Sequence, residues 1–562
     1  MESFNLPIYY IDNKKELDNH IHTDLEILKT NDKDNVPLYN SLFNPTSVFE
    51  KENLNLWGKY YTSDKNFLKD SQKFIKKFKY NELNYDFSNI QNVWENISDN
   101  ETFFDKYNYI EYDRFKYLNT NSTFLFVWSM YNVFSPFLSL IIPILFLILP
   151  LIILKLQGVS IDIKTYIEVL KSLFKRHQIG QLFSLSSVSW DKRVYVIISF
   201  MFYIMQIYYN FVTCFKFIRN TNYIVNQLDT LDNYLDYTLD NITMLHDNIS
   251  SLKTYNKFDS VILSHKNVII DFKTKLKSIC SYKNYFDKIK GIGNIMQLFY
   301  NLNTNKEIIC SFEYSLYLNS YISNINNIKK LMIENKLNFC KFNNKKTKFN
   351  KAFYPIIDNP VKNSYNLNKH ILITGPNAAG KTTILKTTIF NIIISQQLGI
   401  GFYKSANINL YNDIHCYINI PDTSGRDSLF QAEARRCHNI LTDIENNKNK
   451  RHICVFDELF SGTNPYEAIA SALSYLNYLS KYDNVDIIIT THFLELCKRL
   501  DDNNKFLNNN MHIDIVNSDM KYTYLLRNGI SQIKGGVKVL KDLEYPSEII
   551  DETKNIIHNL NI

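Results

Sequence analysis

The sequence predicts an α/β P-loop ATPase fold in its last third, preceded by a mainly α-helical, lever-like domain with two apolar segments of transmembrane length. Three observations predict it. Gly375-x-x-x-x-Gly380-Lys381-Thr382 fills every position of the phosphate-loop pattern. No proline occurs between Pro150 and Pro355, and nine of the fourteen glycines lie at or after Gly375; long helices exclude proline, and tight phosphate loops need glycine. Two long runs carry no charge at all. The chain divides accordingly into an N-terminal mainly helical region (1–120), two apolar segments with a basic connection (121–217), a helical lever (218–350) and an ATPase domain with a C-terminal tail (351–562).

Composition narrows the partners and the compartment. A net charge of +7 on 562 residues is mild and does not by itself call for a nucleic acid. The eight cysteines (214, 280, 310, 340, 416, 437, 454 and 497) form no C-x-x-C pair. That suits neither a zinc site nor a disulfide scaffold and points to a reducing compartment. No basic, short-apolar, small-residue leader is present, so no cleavable signal peptide is expected.

The apolar runs come first along the chain. Phe124 to Leu154 is 31 residues, and Val194 to Phe215 is 22, without Asp, Glu, Lys, Arg or His. A bilayer core needs about 20 apolar residues as helix. The competing reading is a pair of helices buried in a large core. Pro136, Pro143 and Pro150 would kink the first run, which membrane helices tolerate better than soluble ones. Two crossings place both flanks in the cytosol with the nucleotide. The segment between them, Lys155 to Arg193, has seven Lys/Arg against three Asp/Glu, which favours the cytosol too. Either the first run re-enters, or Ile161 to Phe174 lies along the membrane surface.

In the middle, Ile224, Leu228, Leu231, Leu235, Ile242, Leu245, Ile249 and Leu252 alternate at 3/4 spacing, with Thr238 in the one polar gap. This predicts a long helix in a coiled-coil-like seam. Its flank is acidic (Asp229, Asp232, Asp236, Asp240 and Asp247), unsuited to DNA phosphates. The basic stretches "FKTKLKSICSYKNYFDKIK" and "KFNNKKTKFNK" read as solvated faces, with DNA contact as the alternative.

The nucleotide chemistry follows in "HILITGPNAAGKTTILKTT". A buried strand over His370–Thr374 delivers a loop of Gly375, Pro376, Asn377, Ala378, Ala379 and Gly380 that, with Lys381, Thr382 and Thr383, would cradle the phosphates of ATP at a helix N-terminus, every residue but the proline offering a backbone N–H. Lys381 would serve the β- and γ-phosphates, and Thr382 would ligate Mg²⁺. "HICVFDE" ends in Asp457, a second Mg²⁺ residue, and Glu458, a candidate for orienting or deprotonating water. "VDIIITTH" ends in His492, which could sense the γ-phosphate. "GRDSLFQAEARR" places Asp427 and Ser428 at a helix start, suited to an anion. Singly, these carboxylates and His492 could be caps of helices and turns; together and in this order they favour nucleotide chemistry.

Gly375-Pro376-Asn377…Gly380-Lys381-Thr382, Asp427-Ser428-Leu429-Phe430, Asp457-Glu458-Leu459…Gly462-Thr463 and Thr490-Thr491-His492 resemble the ATPase domain of the MutS DNA mismatch-repair family, an α/β fold of the MutS/ABC type. The tail, "YTYLLRNGISQIKGGVKVLKDLEYPSEIIDETK", resembles that family's strand, glycine turn and closing helix pair. The resemblance covers about 340–562. It implies an ATPase with ATP and Mg²⁺ as cofactors and Glu458 and His492 as catalytic residues. It also implies a homodimer in which Ser428 approaches the partner's γ-phosphate in trans, with Gly462 and Thr463 in the interface loop, and double-stranded DNA as partner. Residues 1–120 carry no Phe-x-Glu wedge and are too short for mismatch and connector domains, the two apolar runs are foreign to the standard repair proteins, and no nuclease-like extension is expected.

The expectation is an ATP-dependent DNA-binding protein of mismatch-repair or recombination type, membrane-associated, with its ATPase domain in the cytosol. The alternative is a membrane scaffold or remodeller driven by a MutS-like engine without DNA. An ABC transporter ATPase fits less well: the signature is Asp-Ser-Leu-Phe rather than Leu-Ser-Gly-Gly-Gln, and two apolar runs make a thin transporter.

Overall fold

The structure, a computed structural model, describes residues 2–559 except 31, 33, 82–84, 99–101, 159–161, 177–179, 181–188, 281–284, 344, 419–427, 517–518 and 532–535. It resolves into two compact units. One comprises residues 86–240 and 264–313; the other comprises 2–85, 241–263 and 314–562. The division at 85/86 falls inside the stretch 1–120.

In chain order the N-terminal segment supplies strand β1 (Lys14–Glu16), helices α1 (Asn19–Leu25), α2 (Leu38–Phe43) and α3 (Val48–Trp57), strand β2 (Tyr60–Thr62) and α4 (Lys65–Lys77). Next come α5 (Ser88–Ser98), α6 (Phe103–Tyr107), α7 (Ser122–Leu156), α8 (Ile163–Arg176), α9 (Trp190–Ile249), α10 (Asn256–Cys280), α11 (Tyr285–Thr304) and α12 (Lys306–Ile333). The boundary expected at 217/218 lies within α9, a helix of 60 residues. The second apolar run and the first part of the seam are thus one helix, because nothing between Phe215 and Ile224 breaks it. Every seam position, including Thr238, is buried.

The unit of residues 86–240 and 264–313 has aromatic contacts around α11. Phe103 stacks on Phe299 at 5.5 Å and Tyr107 meets the same ring edge-on at 4.9 Å. Gly293 brings α11 against α7, where an added Cβ would lie 2.2 Å from the Ser122 carbonyl oxygen. One basic stretch departs from the solvated-face expectation. Lys273 is 4% exposed and pairs with Asp232 at 3.8 Å and, more closely, with Asp236. A buried ammonium needs such partners. Residues 281–284 in the same stretch, and Asn344 in the second, lie outside the described residues.

Among the described residues, two helices are long and apolar enough to cross a membrane, judged by length and composition: Ser122–Ile142, and the apolar part of Arg193–Ile249. They pair within the unit: the Cys214 thiol lies 3.3 Å from the Val133 carbonyl, and the Tyr203 hydroxyl 3.4 Å from that of Ser139, so the helices run antiparallel. Their most apolar windows are only 22% and 6% buried. Phe134, Phe137, Ile141, Met201, Phe202 and Met205 are among the exposed side chains. Within this unit, therefore, most of the two apolar windows is left uncovered.

In the other unit, β3 (Asn338–Phe342), β4 (Lys348–Ala352), β5 (Asn363–Asn366), β6 (His370–Thr374), α13 (Lys381–Leu398), β7 (Ile400–Gly401), β8 (Ser405–Ile408) and β9 (Asp413–Tyr417) precede α14 (Leu429–Asn446). Then follow β10 (His452–Asp457), α15 (Pro465–Leu479), β11 (Val485–Thr490), α16 (Leu494–Asp501), β12 (Phe506–Val516), β13 (Asp519–Asn528), α17 (Gly536–Asp542) and α18 (Ser547–Asn559). The main sheet has the order β13-β12-β6-β11-β10-β9, parallel except for the antiparallel β12–β13 pair. A smaller sheet runs β5-β4-β8-β3-β7. Strands β6 and β11 are buried throughout, as parallel strands covered on both faces must be. Their C-terminal ends, with that of β10, therefore share one sheet edge, the usual ligand side of such sheets.

The N-terminal segment is built into this unit. The Gln397 side-chain amide, near the end of α13, donates to the carbonyls of Trp57 (2.7 Å) and Tyr60 (2.9 Å) and accepts from the Tyr39 hydroxyl (2.8 Å). Buried Asp24 accepts from the Ile418 N–H at 3.2 Å, and α1 lies along β9, covering an edge that would otherwise be open to pairing.

Candidate nucleotide-binding site

Between β6 and α13 the chain turns through Gly375–Gly380 with left-handed backbone at Ala378 (φ 61°) and Gly380 (φ 93°). The left-handed backbone favours glycine at 380, where a Cβ would also lie only 3.2 Å from the Tyr524 ring. The helix starts at Lys381, with its free N–H groups facing the loop.

Lys381 is 6% exposed. Its Nζ donates to the carbonyls of Gly375 (3.0 Å) and Pro376 (3.3 Å) and lies 3.2 Å from His492 Nε2 and 3.8 Å from Glu458 Oε1. Burial lowers its pKa, and the Glu458 and Asp457 carboxylates oppose that shift. Thr382 Oγ1 donates to Asp457 Oδ2 at 2.7 Å, and the Thr490 hydroxyl donates to the other carboxylate oxygen. Glu458 follows with φ 54°, its N–H bonded to the Thr490 carbonyl at 3.1 Å. Its carboxylate is 2.7 Å from His492 Nε2. This hydrogen bond holds the Glu458 pKa below the usual carboxylate value, with the imidazole's and Lys381's charges adding to it and burial opposing. The structure thus gathers Lys381, Thr382, Asp457, Glu458 and His492, from two strand ends and one helix start.

These residues fit a magnesium nucleotide. The Thr382 hydroxyl and Asp457 carboxylate already meet as two hard oxygen donors, the pairing that Mg²⁺ takes, beside a buried ammonium and a helix N-terminus.

Ser428 is placed differently. It is exposed and caps α14, its hydroxyl accepting from Gln431 N–H at 3.3 Å while its own N–H donates to Gln431 Oε1 at 3.0 Å. Asp427 lies outside the described residues. Thr463 donates to Glu467 at 2.7 Å. Gly462 passes so close to α14 that a Cβ would sit 2.7 Å from the Leu429 side chain.

Sequence reasoning missed two parts of the site. A cavity of about 700 Å³ opens beside Lys381 and Thr382, walled by Tyr354, Ile357 and Val361 from the segment between β4 and β5 and by Tyr524 from β13. An apolar and aromatic wall next to a phosphate cradle suits a flat base. Tyr524 is set by a left-handed backbone (φ 57°) and by Asn363, which accepts from Leu526 N–H at 2.8 Å and donates to the Tyr524 carbonyl at 2.9 Å. Neither segment carries a motif, so only spacing to the phosphate loop in the fold reveals it. The second residue passed over is Glu433, three residues after Phe430, whose carboxylate accepts from the N–H groups of Ser461 and Gly462 in the loop that follows Glu458.

Fold and site together define a P-loop ATPase domain. Residues 371–561 match the family described as MutS domain V. Similar proteins include a "DNA mismatch repair protein MutS" of Aquifex pyrophilus, 28% identical over 190 residues (34% of this chain, 22% of that protein). An "Endonuclease MutS2" of Streptococcus mutans is 30% identical over 208 residues (36% and 26%), and one of Staphylococcus carnosus is 28% identical over 214 (37% and 26%). The chain spans about a quarter of the length of the curated relatives it matches. The MutS resemblance is therefore secured for the C-terminal third.

Proposed function

We propose that the chain is a membrane-tethered ATPase of MutS type that binds double-stranded DNA and uses ATP binding and hydrolysis to switch a homodimer. The observation that carries the reading is the convergence of Lys381, Thr382, Asp457, Glu458 and His492 at one sheet edge, beside a cavity of about 700 Å³ walled in part by Tyr354 and Tyr524. In this reading Lys381 and the N–H groups of Gly375–Thr383 hold the phosphates of ATP. Thr382 and Asp457 hold Mg²⁺, which when bound offsets negative charge on those phosphates. Glu458, kept ionised by His492, polarises the attacking water, and His492 sits where it can follow the γ-phosphate. Ser428 acts on the partner's nucleotide.

The DNA part rests on what the relatives' names record, mismatch repair and endonuclease. Residues 1–120 carry no Phe-x-Glu wedge, so mismatch reading is not expected. Purified full-length protein should bind duplex DNA with steep salt dependence and favour a single G·T mismatch by no more than about threefold, under the roughly 1–3 kcal/mol of one specific base contact. Salt-insensitive or absent binding would remove DNA and leave the second reading, a membrane scaffold or remodeller. The exposed acidic residues Asp229, Asp236, Asp240 and Asp247 along the seam favour that second reading.

The membrane part rests on the antiparallel apolar pair and its uncovered surface. The full-length chain should float with liposomes and stay in the pellet after carbonate treatment, with the ATPase domain facing the cytosol. Complete release by carbonate would show that the pair rests on protein instead.

A further inference from the structure

After Asp457 the chain passes through Glu458–Thr463 before α15 begins. Two non-glycine residues there, Glu458 (φ 54°) and Phe460 (φ 58°), have left-handed backbone, which persists only where the surroundings impose it. Part of that constraint comes from α14. Glu433, in its second turn, is 2% exposed. Its Oε1 accepts from the backbone N–H (3.1 Å) and the hydroxyl (3.0 Å) of Ser461, and its Oε2 accepts from the N–H of Gly462 (3.1 Å). A buried carboxylate is thus spent on three neutral donors of one short loop. Such an arrangement is rigid, because a carboxylate left without those donors would be costly to bury. At Gly462 the same loop touches Leu429 and Phe430, the first residues of that helix. The helix opens at Ser428, whose side chain caps it.

We infer that Glu433 is a positioning residue for hydrolysis: it fastens the loop Leu459–Gly462 to α14 and so holds Glu458 in its orientation toward His492. Because Ser428 and Glu433 share a helix, a shift of its N-terminus is carried to Glu458 through this clamp. Binding of nucleotide, which rests on Lys381 and the phosphate loop, does not pass through it. The inference rests on the ATPase reading.

Three forms of the full chain test it: wild type, Glu433→Gln and Ile444→Val. Glu433→Gln keeps the shape and one acceptor but turns an NH₂ toward a loop donor. Ile444 is fully buried on the same helix, so Ile444→Val is the control for mere loosening of α14. Steady-state hydrolysis, binding of a fluorescent ATP analogue and Tm are measured for each. Glu433→Gln should lower kcat by about tenfold to a hundredfold, the range for hydrogen bonds to a charged group, with nucleotide Kd within about twofold. Ile444→Val should lower Tm and leave kcat within about twofold. Glu433→Gln with unchanged kcat, or with kcat and Kd failing together, overturns the positioning role. So does Ile444→Val losing as much kcat at equal loss of Tm. A wild type that binds no analogue and hydrolyses no ATP removes the ATPase reading and this inference with it.

Discussion

Glu458→Gln should bind nucleotide as well as wild type and lose hydrolysis by about 10²–10⁴-fold, the usual contribution of general base catalysis. The geometry gives the reason. Glu458 lies next to Asp457 but outside the Thr382–Asp457–Thr490 hydrogen bonds, so the two carboxylates are separable. Its own partners are His492 at 2.7 Å and Lys381 at 3.8 Å, and they keep it ionised across the neutral range. A glutamine retains the shape and can still meet His492, but it cannot take a proton from water. The ATP-bound form should therefore accumulate and, in the proposed mechanism, do so as a closed dimer. Single-turnover hydrolysis and analytical ultracentrifugation with ATP would measure both. Because the Glu458 pKa is depressed, wild-type activity should hold as pH falls from neutral and fail only once the carboxylate protonates below its ordinary range. A Glu458→Gln chain that hydrolyses within tenfold of wild type would move the base to another group.

The parts of this site that were legible in the sequence are those fixed by local backbone. The phosphate loop needs glycine and a following Lys-Thr at set spacing, so Gly375–Thr382 announces itself, and Asp457, Glu458 and His492 stand at the ends of apolar runs that can only be buried strands. The seam Ile224–Leu252 was legible because a helix repeats its face every three or four residues. What stayed hidden depends on contacts between residues far apart in the chain. Tyr354 and Tyr524 wall one cavity from positions 170 residues apart. Gln397 and Asp24 join the N-terminal segment to the ATPase domain through backbone groups, which leave no trace in side-chain pattern. Lys273 looked like one of many surface lysines, and only the fold turns it inward to Asp232 and Asp236. Glu433 belongs to the same class: its partners are two main-chain N–H groups and one hydroxyl of a loop 28 residues away.

Lys381→Ala should abolish nucleotide binding, and its loss should be partly repaired by a chain damaged elsewhere. The ammonium is the buried cation of the cradle, with backbone carbonyls and His492 around it. No other cation lines the cavity among the described residues, so removing it leaves the phosphates without a charge-assisted partner. The complementary lesion is Ser428→Asp. Aspartate caps a helix as well as serine does, so α14 keeps its start, while a negative charge is brought to the place where the partner's γ-phosphate would lie. Each variant alone should be inactive. In a mixed dimer one composite site contains both lesions and the other contains neither. Random mixing in equal amounts makes half the dimers mixed, each with one sound site, so about a quarter of wild-type ATPase activity should return. Crosslinked or doubly tagged preparations establish that mixed dimers form. If they form and no activity returns, Ser428 serves only as the cap of its own helix, and the composite site across two chains is wrong.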